Sequence, residues 1–372
     1  MKWRSCKLGD VIKLQRGHDL PERVRQEGEI PVVTSSGITG FHNEAKAKGP
    51  GVVTGRYGTL GEVFYLEQDY WPHNTTLYVV DFKGTHPRFA SYFLSNLLRN
   101  YQSDKAAVPG IDRNVLHEVK VRVPDPDSQK VISEKIQAYD ESIENNRRRM
   151  ELLEKAARLL YQEWFVRLKF PGHEHTRITK GIPEGWRVLP LNEICPDLRD
   201  AANPADLEGD TPYIGLEHMP RRSITLHEWG RAEEVTSTKL RFKSGDILFG
   251  KIRPYFHKVG FALTDGVSSS DSIVLRPVAE IFHSFALLTV SSDWFVAVVS
   301  KTAKEGSKMP RADWNLMEKH KILVPPNSIM VALQEIVTPM IEQLRMLAFA
   351  NQKLRAARDL LLPRLMSGEI TV

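Results

Sequence analysis

The strongest constraint on this 372-residue chain is an apolar pattern that it contains twice. In the first copy, steps of four and three residues join Ile132, Ile136, Tyr139, Ile143, Asn146, Met150, Leu153, Ala157, Leu160 and Trp164. The same steps return 201 residues later at Leu333, Val337, Met340, Leu344, Leu347, Asn351, Leu354, Arg358, Leu361 and Leu365. A sustained 3.5-residue spacing is typical of coiled coils. The pattern therefore predicts two long helices that pack along these positions.

Shorter segments outside the helices are repeated as well. Trp3-Arg4 returns as Trp186-Arg187, and the segment 119–124 (VKVRVP) returns as 320–325 (HKILVP). The offset drifts from about 181 to 201 through the preceding regions but stays at 201 through the helices. The two helices therefore have equal lengths, while the domains in front of them differ by insertions.

Each half opens with short β-branched and aromatic runs between glycines, which predict strands, and adds one helix, over 87–100 and over 281–300. The fold class is α+β: two β-rich α/β domains joined by two long helices that form an antiparallel coiled coil, with internal pseudo-twofold symmetry. Asp127 or Ser128 is the expected N-cap of the first helix, and Pro339 is expected to kink the second. The predicted boundaries are 1–125 for the first domain, 126–168 for its helix, 169–185 for a linker, 186–326 for the second domain and 327–372 for the second helix and tail.

Antiparallel pairing is favoured because a linker of about 17 residues cannot easily return the second helix parallel to the first at full overlap. In that register Asn146 faces Asn351, and the two amides can satisfy each other. A parallel register would place Asn146 beside Leu347 and leave its amide unsatisfied. Two alternatives stay open: the stagger shifts by one heptad, or both asparagines are partly solvated by chance.

The composition excludes several classes of protein. The net charge of +5 and pI near 9.0 permit binding to a polyanion but do not require it. Only Cys6 and Cys195 occur, so a disulfide framework is not expected and a reducing cytoplasm fits. Neither an apolar run of about 18 residues nor a signal peptide is found in the sequence.

No motif for catalysis, cofactor binding or metal binding is convincing. A methyltransferase motif would need Asn or Asp, two prolines and an aromatic residue, and the segments 324–327 and 203–206 both lack this order. There is no Walker lysine motif and no glycine-rich nucleotide loop between a strand and a helix. The segment 173–175 (HEH) has no third ligand nearby, so a solvated loop explains it better than a metal site.

Basic and aromatic residues recur instead on glycine-flanked turns, which occupy equivalent positions in the two halves. Arginine and lysine suit guanine edges and phosphates, and asparagine suits adenine. Any one of these side chains could equally be a solvated surface charge. The predicted DNA-binding residues are Lys46, Lys48, Arg56, Tyr57, His73 and Asn74 in the first half, and Arg221, Arg222, Lys251, Arg253, Tyr255 and His257 in the second.

A further apolar stripe lies outside the helix seam. It either packs on the chain's own domains or forms a docking surface for other subunits. The residues predicted for partner docking are Leu152, Leu159, Tyr161, Met346, Phe349 and Leu360.

Taken together, these motifs resemble the specificity subunit of type I restriction-modification enzymes over the whole chain. The resemblance is carried by the helix starts 123–132 (VPDPDSQKVI) and 324–337 (VPPNSIMVALQEIV), and by the helix ends 159–165 (LLYQEWF) and 360–368 (LLLPRLMSG). Each motif alone is weak, but their duplication at fixed spacing is specific. Pro339 departs from a strict duplicate.

The resemblance implies a non-catalytic subunit that binds double-stranded DNA and two modification subunits, which methylate adenine at N6 with S-adenosylmethionine. Two restriction subunits can join for ATP-dependent cleavage, so both cofactors would bind partner subunits. Each domain would read one half of a bipartite site, and the helices would set the gap. The alternatives are a scaffold that binds only proteins and a self-contained modification enzyme, which the missing cofactor motifs disfavour.

Overall fold

The computed structural model describes residues 2–56, 62–99, 110–302 and 309–371. The chain divides into two compact units. The first unit comprises Met1–Ile143 together with Lys353–Val372, and the second comprises Glu144–Gln352. Each unit thus contains a segment of both long helices.

The described helices begin and end as follows: α1 (Pro87–Arg99), α2 (Arg113–His117), α3 (Pro126–Tyr161), α4 (His283–Val290), α5 (Asp293–Thr302), α6 (Trp314–Met317) and α7 (Asn327–Ser367). The N-cap of α3 is Asp125 rather than Asp127 or Ser128. Its carboxylate accepts hydrogen bonds from the Ser128 amide at 3.0 Å and the Lys2 amide at 2.8 Å. These bonds lower the pKa of Asp125 to about 2, the Lys2 amide contributing most. The carboxylate therefore satisfies amides at the helix start and also ties down the N-terminal segment.

One other helix prediction needs correction. The single helix expected over 281–300 is two helices, α4 and α5, which meet at an angle of 65°. The break has a local cause: the Ser292 hydroxyl accepts a hydrogen bond from the Phe295 amide at 3.1 Å and so starts a new helix. Helix α7 continues through Pro339, which is exposed, and the kink expected there stays a prediction.

The described residues of the first unit form three sheets. Strands β1 and β9 pair antiparallel, four strands lie in the order β2-β8-β5-β6, and three lie in the order β4-β3-β7. The strands are β1 (Trp3–Lys7), β2 (Lys13–Arg16), β3 (Ile30–Thr34), β4 (Gly37–His42), β5 (Gly51–Gly55), β6 (Val63–Leu66), β7 (Trp71–Pro72), β8 (Thr76–Asp81) and β9 (Lys120–Pro124).

The second unit repeats part of this plan. Strand β18 lies between β19 and β21, as β5 lies between β6 and β8, and β12 pairs with β22 as β1 pairs with β9. A five-stranded sheet, β13-β17-β20-β14-β16, has no counterpart of the same size among the described strands of the first unit. The strands are β10 (Ile178–Thr179), β11 (Ile182–Pro183), β12 (Arg187–Pro190), β13 (Ala201–Ala202), β14 (Pro212–Ile214), β15 (Thr225–Leu226), β16 (Gly230–Arg231), β17 (Lys239–Phe242), β18 (Ile247–Gly250), β19 (Val259–Ala262), β20 (Gly266–Ser268), β21 (Ser272–Leu275) and β22 (Lys321–Val324).

In the first unit, the start of α3 packs against the end of α7. Ile132 and Ile136 are fully buried in the same core as Leu365. At the edge of this contact the Arg358 guanidinium donates to the Asp140 carboxylate at 2.8 Å. The two segments within this unit share one apolar core closed by an ion pair at its rim.

In the second unit, the rest of α3 and most of α7 contribute to one large core. The seam positions Met150 and Ala157 of α3 are buried in it, as are Trp164, which follows the end of α3, and Leu333 and Leu344 of α7. The Asn146 side-chain amide donates to Asn351 Oδ1 at 3.0 Å, and Asn351 is 6% exposed. The two asparagines therefore face each other across the seam.

Two further findings concern the described residues alone. No single helix there is both long and apolar enough to cross a membrane, although the bent pair α4–α5 would pass on length and composition. Within the same residues, no group of three or more His, Cys, Asp or Glu side chains is placed to hold a metal ion.

Candidate nucleic-acid interface

The turn between β18 and β19 in the second unit is backbone-strained and exposed. Arg253 and His257 flank a short 3-10 turn with φ values of 51° and 54°, and the neighbouring Arg222 has φ of 61°. Left-handed backbone is uncommon for residues other than glycine, and such strain concentrates at functional sites. Two of these residues are joined through the backbone, since the Arg222 amide donates to the His257 carbonyl at 2.9 Å.

Phe256 organises the cations of this turn. The Arg221 guanidinium carbon lies 3.9 Å from the centre of its ring, and that of Arg253 lies 5.7 Å away. Tyr255 packs edge-to-face on the same ring, with 4.9 Å between ring centres, and is 54% exposed. Cation–π contact restrains the guanidinium groups while they remain at the surface. The result is an exposed cluster, here called the Phe256 cluster, that can offer two arginines to a polyanion.

The other predicted residues of this half are differently placed. The Arg222 guanidinium donates to Asp293 at 2.9 Å on an exposed surface. The Lys251 ammonium is half-buried and donates to the Ser270 carbonyl at 3.0 Å, and burial lowers its pKa. Both cations are therefore engaged within the domain.

The prediction for His257 is wrong in this structure. His257 is 2% exposed, and its Nε2 lies 2.8 Å from the Ser291 carbonyl. Burial is the main cause that lowers its pKa, so the ring is neutral at pH 7. The adjacent left-handed turn folds the side chain inward, so His257 supports the loop and does not reach a ligand.

In the first unit, three predicted residues converge on the loop that precedes β8. The Arg56 amide donates to the Thr75 carbonyl at 2.9 Å, and His73 Nδ1 lies 3.2 Å from the Thr75 hydroxyl. The Asn74 side chain donates to Asp19 at 2.7 Å. Burial, followed by the charge of Arg25, lowers the pKa of His73, so this ring is neutral at pH 7.

Two predicted lysines lie close by in sequence and space. The Lys46 ammonium sits 5.0 Å above the Trp71 ring centre, and Trp71 directly precedes the Pro72-His73 segment. Lys48 is exposed. Tyr57 lies outside the described residues. The first unit thus presents Lys46, Arg56, His73 and Asn74 on neighbouring loops, with fewer aromatic supports than the second unit.

The residues predicted for partner docking divide into two groups. The first group is exposed: Leu152 at 66%, Leu159 at 49%, Met346 at 63% and Leu360 at 71%.

The second group packs on the chain's own second domain. Tyr161 is 7% exposed and packs against Phe285 with 6.2 Å between ring centres, so the docking prediction is wrong for Tyr161. Phe349 is partly buried edge-to-face against Trp229. The alternative considered from the sequence, packing against the chain's own domains, describes these two.

Sequence reasoning missed Phe256 and Glu154. Phe256 follows Arg253 within an aromatic run, 253–257 (RPYFH), and this spacing was a usable signal. Glu154 lies on α3, is 8% exposed, and accepts hydrogen bonds from three consecutive residues of the loop that carries Arg222. Nothing in its local sequence distinguishes it from other helix glutamates.

Comparison with known proteins agrees with this geometry. Residues 1–155 match the family described as the type I restriction modification DNA specificity domain. The chain is 23% identical over 304 residues to the type I restriction enzyme MjaIX specificity subunit of Methanocaldococcus jannaschii, which covers 76% of this chain and 68% of that protein. It is 22% identical over 356 residues to the EcoDI specificity subunit of Escherichia coli, covering 86% and 80% of the two chains.

The fold has a solved counterpart. The S subunit of a type I restriction-modification system from M. genitalium superposes with a TM-score of 0.62 at 16% identity, covering 98% of this chain and 96% of that one. At this identity the likeness concerns the fold. The resemblance to type I specificity subunits, predicted from the duplicated helices, is thereby confirmed.

Proposed function

We propose that this chain is the sequence-specific DNA-binding specificity subunit of a type I restriction-modification complex. Its first domain, residues 1–125, reads one half of a bipartite site, and its second, residues 186–326, reads the other. The long helices form an antiparallel coiled coil that sets the gap between the half-sites. The chain itself carries no catalytic residue and no cofactor, and it acts in the cytoplasm, where two unpaired cysteines are compatible with reducing conditions.

The observation that carries this proposal is the Phe256 cluster. Two exposed guanidinium groups stacked on one aromatic ring, on a strained turn, suit phosphate oxygens and guanine edges. In the first unit, Arg56 after β5 and the loop before β8, which carries His73 and Asn74, offer a different set of donors and acceptors. Different chemistry in the two domains is what reading two different half-sites requires.

The partners follow from the same proposal. Two modification subunits, which bind S-adenosylmethionine and methylate adenine at N6, would dock on the helices, and two restriction subunits that bind ATP would join for cleavage. The exposed Leu152, Leu159, Met346 and Leu360 support helix docking, because a partner that covered these apolar side chains would remove their surface from water.

The test is competition binding of the full chain, assembled with modification subunits, to duplexes in which each base of a mapped bipartite site is changed. Changes in either half should weaken binding by about 1–3 kcal/mol per base pair, and affinity should fall steeply with salt. The competing function is a protein-binding scaffold without DNA readout. Equal binding to all sequences, with no salt dependence, would favour that scaffold.

A further inference from the structure

The loop before β15 is fastened to helix α3 by a buried carboxylate. Glu154 Oε1 accepts hydrogen bonds from the Ser223 hydroxyl at 2.7 Å and the Thr225 hydroxyl at 2.7 Å. Its second oxygen, Oε2, accepts from the Ile224 amide at 3.1 Å. Three donors on consecutive residues therefore converge on one side chain of the helix, and Ile224 and Thr225 are themselves fully buried.

One helical turn further along, Arg158 fastens the same loop from its other end. Its guanidinium donates to the Ser291 carbonyl at 2.6 Å and to the Arg222 carbonyl at 3.2 Å. Ser291 is also the residue whose carbonyl contacts His257. Through Arg222 and Ser291, Arg158 reaches both loops that surround the Phe256 cluster.

The buried Glu154 carboxylate is stable in this position because hydrogen bonds from the loop replace its hydration. A buried carboxylate is costly unless hydrogen bonds replace its hydration, and bonds to charged groups are stronger than neutral ones. An apolar side chain at position 154 would pack against the loop but would not fix its direction. A carboxylate with three fixed donors specifies both distance and orientation.

We propose that Glu154 and Arg158 are positioning residues that hold the loop before β15, residues 221–225, in a fixed orientation on helix α3. This goes beyond the proposed function, on which it rests. Helix α3 would not only separate the two DNA-reading domains but also fix the orientation of a loop in one of them. Because the loop carries Arg221, which stacks on Phe256, its orientation relative to the helix determines where that guanidinium group meets the DNA. A loop that is held less firmly should therefore weaken the preference of the protein for one gap length between the half-sites.

The experiment compares Glu154→Ala and Glu154→Gln with the unchanged full chain, each assembled with modification subunits. Binding is measured to duplexes that carry both half-sites with the preferred gap and with gaps one base pair shorter and longer. We expect the unchanged chain to prefer one gap, and Glu154→Ala to reduce that preference at least threefold. Glu154→Gln keeps one acceptor oxygen and the side-chain shape, so its effect should be intermediate.

The matched control is Glu151→Gln, on the same helix at an exposed position where Glu151 pairs with Arg147. It should leave the gap profile unchanged. Thr225→Ala removes one of the three donors from the loop side and should shift the gap profile in the same direction as Glu154→Gln. Because Thr225 is not on helix α3, this variant separates loss of the hydrogen bond from misfolding of the helix.

The outcomes separate the two proposals. A Glu154→Ala complex that loses affinity equally at every gap, or only melts earlier, overturns the positioning role and leaves the proposed function standing. Failure of the unchanged chain to discriminate any bipartite site would instead reject the proposed function itself. A relaxed gap profile with unchanged discrimination at the first half-site supports the inference.

Discussion

The paired asparagines in the helix seam give a prediction whose size can be derived from the structure. Replacing Asn146 with Leu removes the donor of the 3.0 Å bond to Asn351 Oδ1, while Asn351 stays 6% exposed. Burying a polar group without its partner costs about 1–3 kcal/mol, whereas replacing both partners with apolar groups is close to neutral. Asn146→Leu should therefore destabilise the second unit by about 1–3 kcal/mol.

The companion variants complete a double-mutant cycle. Asn351→Leu should cost a similar amount, but the double variant should return to within about 1 kcal/mol of the unchanged chain, because two leucines pack at a seam position without a buried amide. The coupling free energy between the two positions should be about 1 kcal/mol or more, which is typical of residues in contact.

The assay is urea unfolding of the four proteins, followed by circular dichroism. Both asparagines lie in the unit Glu144–Gln352, so the loss of stability should appear in the unfolding of this unit. A double variant whose destabilisation equals the sum of the two single losses would refute the reasoning, because the amides would then not be interacting.

Four other outcomes are expected. Arg56→Ala should weaken discrimination at one half-site by about 1–3 kcal/mol in competition binding and leave the other half nearly unchanged; equal loss at both halves would contradict separate reading heads. Phe256→Leu should remove the support of Arg221 and Arg253 and weaken binding to the second half-site by about 0.5–1 kcal/mol, without an effect on the first. Inserting four residues in both helices should lengthen the preferred gap in a panel of duplexes, and an unchanged gap would reject the spacer role. Because the pKa of Asp125 is lowered to about 2 from 3.8, its stabilisation is present above about pH 4 and lost as the pH falls through about 2. Acid titration of Asp125→Asn against the unchanged chain should show a stability difference that shrinks over that range.

The sequence was most informative where a periodic pattern and a repeat reported the same element. Strands such as Gly51–Gly55 and Ser272–Leu275 lie in the predicted glycine-flanked runs, and α1 (Pro87–Arg99) covers the described part of the helix predicted over 87–100. Both long helices were evident because burial on one face forces a regular apolar spacing. The break between α4 and α5 was not evident, because one serine hydroxyl redirects a chain segment whose apolar residues continue on both sides.

The candidate site was harder to predict for a related reason. Exposure depends on where the loop turns, and Arg253 and His257 differ in exposure although both have left-handed backbone and are four residues apart. The basic and aromatic residues in the sequence indicated which turn to expect at the surface. They did not indicate which side chains on that turn are exposed. Glu154 was missed because its partners are about 70 residues away in sequence, and no local pattern marks such a contact.

The first unit is formed by two distant parts of the chain, and this determines when its core can fold during synthesis. Its core needs Leu362, Leu365 and Met366 to cover Ile132 and Ile136, and these residues leave the ribosome more than 200 positions later. The unit Glu144–Gln352 is contiguous and can close its own core while synthesis continues. A nascent chain therefore exposes part of the core of this unit until residues 362–366 have been translated, so a product that stalls before them would be a target for chaperones and proteases.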